Sequence, residues 1–349
     1  MNRHSSFREC STRRRRVVRL FFGLASTVAV VIGMTEMGAA TAEADTVVDS
    51  MRVGFGPNGV AVTPDGARIY VTNLHGDSVS VIETASNSVS ATVRVGSSPE
   101  KVAVTPDGSH AYVANSADNS VAVIETAGNT VAATVPVGSM PFGVAVTPDG
   151  SHVYVTNAMD GSVSVIETAG NTVAATVPVG SLPFGVAATA DGSRVYVANR
   201  AGDSVSVIET ASNSVSATLT VGDGPNGVAV TPDGSRAYVA NASDDSVSVI
   251  DTATNTVVGT VTVGVGPEGV AVTPDGAHVY VTNFSDGSLS VIETASDTVV
   301  DTVTVGGFPI GVAIAPDGSR ADVTDINSDS VSVIAIDRCS GSLCFDFGS

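Results

Sequence analysis

Gly59-Val60-Ala61-Val62-Thr63-Pro64-Asp65-Gly66, then Arg68-Ile69-Tyr70-Val71-Thr72-Asn73, then Ser78-Val79-Ser80-Val81-Ile82-Glu83-Thr84, is a pattern that returns along the whole chain. Thr63-Pro64-Asp65-Gly66 reappears at 105, 147, 189, 231, 273 and 315, always 42 residues on. Only Ala190, in place of Pro, and Ala315, in place of Thr, break it. Tyr70 repeats as Tyr112, Tyr154, Tyr196, Tyr238 and Tyr280. Each copy reads as four short strands. Strand a is 59–62, strand b 68–72, strand c 78–84 and strand d 88–95. Pro-Asp-Gly presets a tight turn between a and b, because Pro fixes φ, Asp caps and Gly accepts positive φ. Strands of this length with a turn about every ten residues indicate all-β structure. Four of them in a period of about 40–45 residues make one propeller blade.

The ends extend the count. Residues 45–54, beginning Asp45-Thr46-Val47-Val48-Asp49, match 297–306, beginning Asp297-Thr298-Val299-Val300-Asp301. A d strand therefore comes first, and the seventh repeat stops after its c strand. The expectation is a seven-bladed β-propeller of four antiparallel strands per blade over 45–336, its ring closed by the N-terminal strand completing the last blade. Closure of this kind hides strand edges that would otherwise pair with other chains. The seventh copy departs from the others, with Asp322 for Tyr and Asp325 for Asn. A charge at a half-buried position resists burial, so blade seven is expected to be the least stable.

Residues 1–44 read as a secretory signal. Arg13–Arg16 and Arg19 precede an apolar run from Leu20 to Met34, and small residues follow up to Ala44. That run is short for a bilayer span, and no later stretch is long and apolar enough to cross one. The chain is thus expected to be exported (secreted, periplasmic or at the cell surface), with no membrane span in the mature part. Beyond residue 44 there are nine basic against 32 acidic residues, a net charge of −23. Such a surface repels phosphate backbones and argues against nucleic acid. Residues 337–349 form a tail whose Cys339 and Cys344 suit a small disulfide loop in an exported protein.

With Thr-Pro-Asp-Gly upstream and Ser-Val-Ile-Glu-Thr downstream, the Tyr-Val-Thr-Asn and Tyr-Val-Ala-Asn segments resemble the YVTN family of propeller repeats. The resemblance covers 45–336. It implies the propeller fold and, for many such proteins, a place at the cell surface. It transfers no catalytic residue. Related propellers carry haem or copper, or cleave lactones. Trp-Asp blade markers are excluded, since the chain has no Trp.

Chemistry-bearing motifs are sparse. His110, His152 and His278 occupy a repeat position that elsewhere holds Arg, so they read as a polar strand position. His75 alone is irregular, in the b–c loop of blade one. An enzyme at the channel mouth would draw on His75 with Glu100 or Glu268. Every b–c connection carries Asp (Asp77, Asp118, Asp160, Asp203, Asp244 and Asp245, Asp286, Asp329), a standard turn residue. Calcium needs about six or more converging oxygens, which seven separate loops do not supply, so no cofactor is expected and calcium is the weaker alternative.

Variation concentrates in the d–a and b–c connections, which share one face in a four-stranded meander. Large apolar residues follow it. One neighbourhood holds Met140, Phe142, Met159, Leu182 and Phe184 with Arg200. The other holds Phe284, Phe308, Ile310, Phe55 and Leu74. Binding residues sit characteristically on loops of a rigid scaffold. These eleven residues are therefore the expected binding surface, for a protein partner or a hydrophobic ligand, on a monomeric exported scaffold. The alternatives are side chains folded inward to plug the blades, a metal-dependent lactonase- or lyase-like enzyme, and a redox or cofactor-carrying propeller.

Overall fold

The computed structural model describes residues 44–336. The segment read as a secretory signal, all but Ala44, and Cys339 and Cys344 lie outside the described residues. Seven sheets of four antiparallel strands form a ring. In blade one, strand a is Pro57–Val62, b is Arg68–Asn73, c is Ser78–Glu83 and d is Ser88–Arg94. Blades two to six repeat this order. In the last sheet, Pro309–Ile314, Arg320–Asp325 and Ser330–Ala335 are joined by Thr46–Arg52, which pairs antiparallel with Ser330–Ala335.

Burial follows position in the blade. Strands b and c are buried nearly throughout, whereas strand d shows most of its length to solvent. Between neighbouring blades lies one apolar cluster each, seven in all. Tyr70, Val79 and Val81 of blade one meet Val102, Ala111, Val113 and Ile124 of blade two. Small and β-branched side chains suffice because the sheets pack face to face, and each Tyr supplies the bulk.

The Tyr-Val-Thr-Asn segment carries three polar contacts. The Tyr hydroxyl donates to the c–d turn of the next blade, Tyr70 to Asn129 Oδ1 at 2.8 Å, Tyr112 to Asn171, Tyr154 to Asn213, Tyr196 to Asn255 and Tyr238 to Asp297, and Tyr280 donates to Asp45, at the same position just before the last sheet's outer strand. The Thr hydroxyl donates to the next blade's strand a, as Thr156 does to the Phe184 carbonyl at 2.8 Å. The Asn amide ties its own c strand, as Asn157 Nδ2 does to Ser162 and Ser164. This Asn is why Gly precedes strand a by a few residues. A Cβ on Gly138 would lie 2.6 Å from Asn157 Cγ.

Blade seven has neither the Tyr nor an acidic residue at the end of strand c, where Ala335 replaces the usual Glu or Asp. Arg320, left without that acid, turns to Asp322. Its Nε donates to both Asp322 oxygens at 3.2 and 3.1 Å, its Nη2 also bonds Asp322, and its Nη1 reaches Asn87 Oδ1 at 2.9 Å. Asn87 is the turn residue that a Tyr would have met. The pair thus occupies the missing phenol's place and keeps its bond. Asp322 is 0% exposed. Burial pushes its carboxyl above the ordinary range, and Arg320 opposes that.

Two predictions follow from these contacts. Arg320→Ala strands a buried carboxylate, and removal of one partner of a buried pair costs about 3–5 kcal/mol. Chemical denaturation should show this loss; a loss under about 1 kcal/mol, the range of exposed pairs, would contradict it. The a–b turns set the acid limit. The Thr hydroxyl, then the Ser backbone N–H, hold Asp107, Asp149 and Asp191 down to about 2, below the ordinary 3.8. A lowered carboxyl stabilises the fold fully above 3.8, and that stability is lost as pH falls toward 2. Thermal melts should drop across that window, and less steeply in the triple Asn variant at these positions. Equal slopes would show the turns are not responsible.

Candidate functional site

All seven a strands face the central channel, and each is irregular at its start. Pro57 pairs with Asn73 and Val60 with Val71, so strand a carries one extra residue at Asn58-Gly59. Bulges re-aim side chains where they occur. The same irregularity recurs in every blade and presents a ring of unlike residues at the channel mouth: Asn58, Glu100, Phe142, Phe184, Asn226, Glu268 and Ile310. Below them six blades have Gly, because the next blade's carbonyl comes close. A Cβ on Gly143 would lie 2.2 Å from the Phe184 carbonyl oxygen. Blade two alone has Lys101 there.

This corrects part of the sequence reading. Phe142, Phe184 and Ile310 are not loop residues. They lie on strand a, which begins at the Pro, two residues earlier than the Gly suggested. The bulge hides the strand's start, because it breaks the alternation that reveals a strand.

The structure separates the predicted surface into smaller groups. Phe142 and Phe184 stack at 4.2 Å and 17°, both half-buried. Arg200 lies 5.1 Å over the Phe184 ring and Lys101 Nζ 5.8 Å over Phe142. Phe284 and Phe308 form a second stack at 4.8 Å. Phe55 packs on His75 at 5.2 Å and is 61% exposed. Met159 is 66% exposed, whereas Leu74, Met140 and Leu182 are half-buried. Met140 and Leu182 have φ of +56° and +50°, in the left-handed region. Backbone bonds hold them there: Ala158 N donates to Met140 O at 3.0 Å and Arg200 N to Leu182 O at 2.9 Å.

The loop Asp row serves the same end. Asp118 accepts the N–H of Ser97 and Asp160 that of Ser139, both at 2.6 Å, and Asp77, Asp203 and Asp245 accept from the following blade's connection. Among the described residues, no three His, Cys, Asp or Glu side chains come together to hold a metal ion.

What sequence reading missed is Lys101. Two signals could have found it: it interrupts a Gly repeated in six copies, and it is the one lysine in 349 residues. Its Nζ donates to Asn58 Oδ1 at 2.7 Å, and Asn58 Nδ2 donates to Glu100 Oε2 at 2.8 Å. Glu100 also accepts from Ser116 Oγ at 3.2 Å, and Asn226 donates to Glu268. Burial lowers Lys101 against the opposing pull of Glu268 and Glu100. Burial likewise raises Glu100 and Glu268. Burial thus works against the charge on all three groups, of which Glu100 is buried and Lys101 and Glu268 are half-buried. The recess at this mouth, lined by residues of all seven a strands including Lys101, Phe142 and Glu268, has a volume of about 160 Å³.

Comparison with known proteins agrees with this architecture. The model of the Virginiamycin B lyase family matches residues 46–256. A model described as "Lactonase, 7-bladed beta-propeller" matches residues 213–346. No curated protein matches the chain. Among solved structures, Kuenenia stuttgartiensis Hydrazine Synthase is similar, with a TM-score of 0.75 and 24% identity over 80% of this chain and 96% of that one. At that identity the likeness is one of fold.

Proposed function

Because the chain belongs to the virginiamycin B lyase family, we propose that it is an exported propeller that binds a small ligand at the mouth of its central channel. The observation that carries this reading is the convergence of an apolar stack and charged groups on one opening. Phe142 and Phe184 present a flat, half-buried aromatic surface, and Lys101, Glu100 and Arg200 stand beside it. Ligand sites are characteristically apolar recesses with a few convergent polar groups. The recess is smaller than the ~300–1,000 Å³ of drug-sized sites, so the ligand is small, or inserts one ring. Phe284, Phe308 and Ile310, with Phe55 and Leu74 on the far side of the ring, extend the surface to a larger partner. We read the repeats as YVTN-type within the family, and the mature chain as an acidic monomer without affinity for nucleic acid.

A second reading is catalysis of lyase or lactonase type at the same mouth. Two observations favour it: the matched family models, and the burial that drives Lys101 and Glu100 toward a free amine and a neutral acid. Groups with pKa values displaced toward each other are how proton transfer is arranged at neutral pH.

The double variant Phe142→Ser/Phe184→Ser tests the first reading. Titration calorimetry with benzyl alcohol should show saturable binding to the wild type and none to the variant. The melting temperature should stay within about 3 °C, the shift of roughly 1 kcal/mol in a domain this large. A much larger loss would mean that the pair plugs the blades. Opening of an aryl lactone that disappears in Lys101→Met and Glu100→Gln would favour the second reading.

A further inference from the structure

We propose that Lys101 captures small aldehydes at the channel mouth as an imine on its Nζ. The proposal rests on the ligand-binding reading and names the ligand class for that same site.

Three features of position point to this chemistry. First, Lys101 stands where the other six blades pack Gly against a neighbouring carbonyl. Lys101 lines the channel recess together with Phe142 and Glu268. Second, its nitrogen makes no ion pair. The four ion pairs among the described residues all use Arg. Lys101 instead donates to the neutral amide oxygen of Asn58, and Glu100 is held off at the amide's other end. Third, an aromatic face lies within 5.8 Å of the nitrogen, ready to hold a ligand's apolar part over the amine. Lysines become nucleophilic when desolvated beside apolar surface, because the free amine then forms near neutral pH. Burial acts on Lys101 in that direction. The charged groups that face it, Glu100 and Glu268, are themselves pushed toward their neutral acids by burial.

The step balances without an oxidant or reductant. The Nζ lone pair attacks the carbonyl carbon and a C–N bond forms. The C=O π electrons move to oxygen, which takes a proton. The carbinolamine then loses its oxygen as water, and the C=N bond closes. Both hydrogens of the amine leave in that water. Water supplies a proton to the departing oxygen and takes one from nitrogen, so no proton is gained or lost overall.

The test is reductive trapping with benzaldehyde and sodium cyanoborohydride at pH 7, read by intact mass and peptide mapping. Hydride from the reagent converts the imine to a stable benzylamine. The folded protein should gain one benzyl group at Lys101, and gain it faster than the same chain unfolded in guanidinium, since burial lowers the amine and leaves more of it free at pH 7. Lys101→Arg should lose that label, and benzyl alcohol should slow it in the wild type. Labelling of folded Lys101 no faster than in the unfolded chain, or confined to the N-terminal amine, would overturn the proposal. If benzyl alcohol binds by calorimetry and labelling is still not accelerated, imine capture falls while ligand binding stands. If neither occurs, both fall.

Discussion

The hydroxyl of one tyrosine in each of six blades, reaching in the first five 59 residues ahead to the turn of the next blade, is the contact on which the ring depends. A four-stranded sheet of Val, Ala, Ser and Thr has little bulk with which to fix its angle to a neighbour. The phenol does both tasks, filling the interface and ending on a specific oxygen. Each such bond contributes only about 1 kcal/mol. Their value is geometric, because each bond sets the register of the next blade. In the last sheet the phenol is gone, and the same oxygen is met by a guanidinium braced on a buried carboxylate. Blade seven therefore answers the constraint with charge where the others use an aromatic ring. A lone buried Asp would be a liability; this one came with an arginine released by the change from an acid to Ala335.

The architecture was legible in the residues because a 42-residue period with intact turn chemistry leaves few alternatives. Blade number, strand number and the turn positions all follow from Pro-Asp-Gly and Tyr recurring in step. The start of strand a was not legible. The bulge at Asn58-Gly59 suspends the two-residue alternation, so Phe142, Phe184 and Ile310 looked like loop residues. The surface read from variation was partly legible: Phe142, Phe184 and Arg200 do meet, and Phe284 meets Phe308. Lys101 escaped attention because a single residue type was weighed against motifs and not against its own column of repeats. In a chain of near-identical copies, the substitution that defies a packing requirement tells more than the positions that vary freely.

Physical chemistry also explains why the mouth is individual while the opposite face is uniform. The a–b and c–d turns carry the residues that set blade geometry, Thr-Asp on one turn and the Tyr-binding Asn on the other. They cannot change without altering the ring. The side chain that follows the Pro of each strand a lies at the channel mouth and meets its counterparts in the ring, as Asn58 meets Glu100 and Phe142 meets Phe184. Asn58, Glu100, Phe142, Phe184, Asn226, Glu268 and Ile310 can differ at little cost to the frame, which is where a binding specificity can diverge.

The scarcity of basic residues has another consequence, for resistance to proteolysis. Among the described residues, seven of the eight Lys and Arg positions lie on strands: Arg52, Arg68, Arg94, Lys101, Arg194, Arg236 and Arg320. Proteases need several residues of extended, unpaired backbone, which a hydrogen-bonded strand withholds and an exposed loop offers. Only Arg200 stands off the strands, on the short turn Arg200–Gly202. To an enzyme that cuts after basic residues the ring therefore presents a single door, and that door opens beside the channel mouth. A ligand resting on Phe184 under Arg200 would bear on whether it can be used.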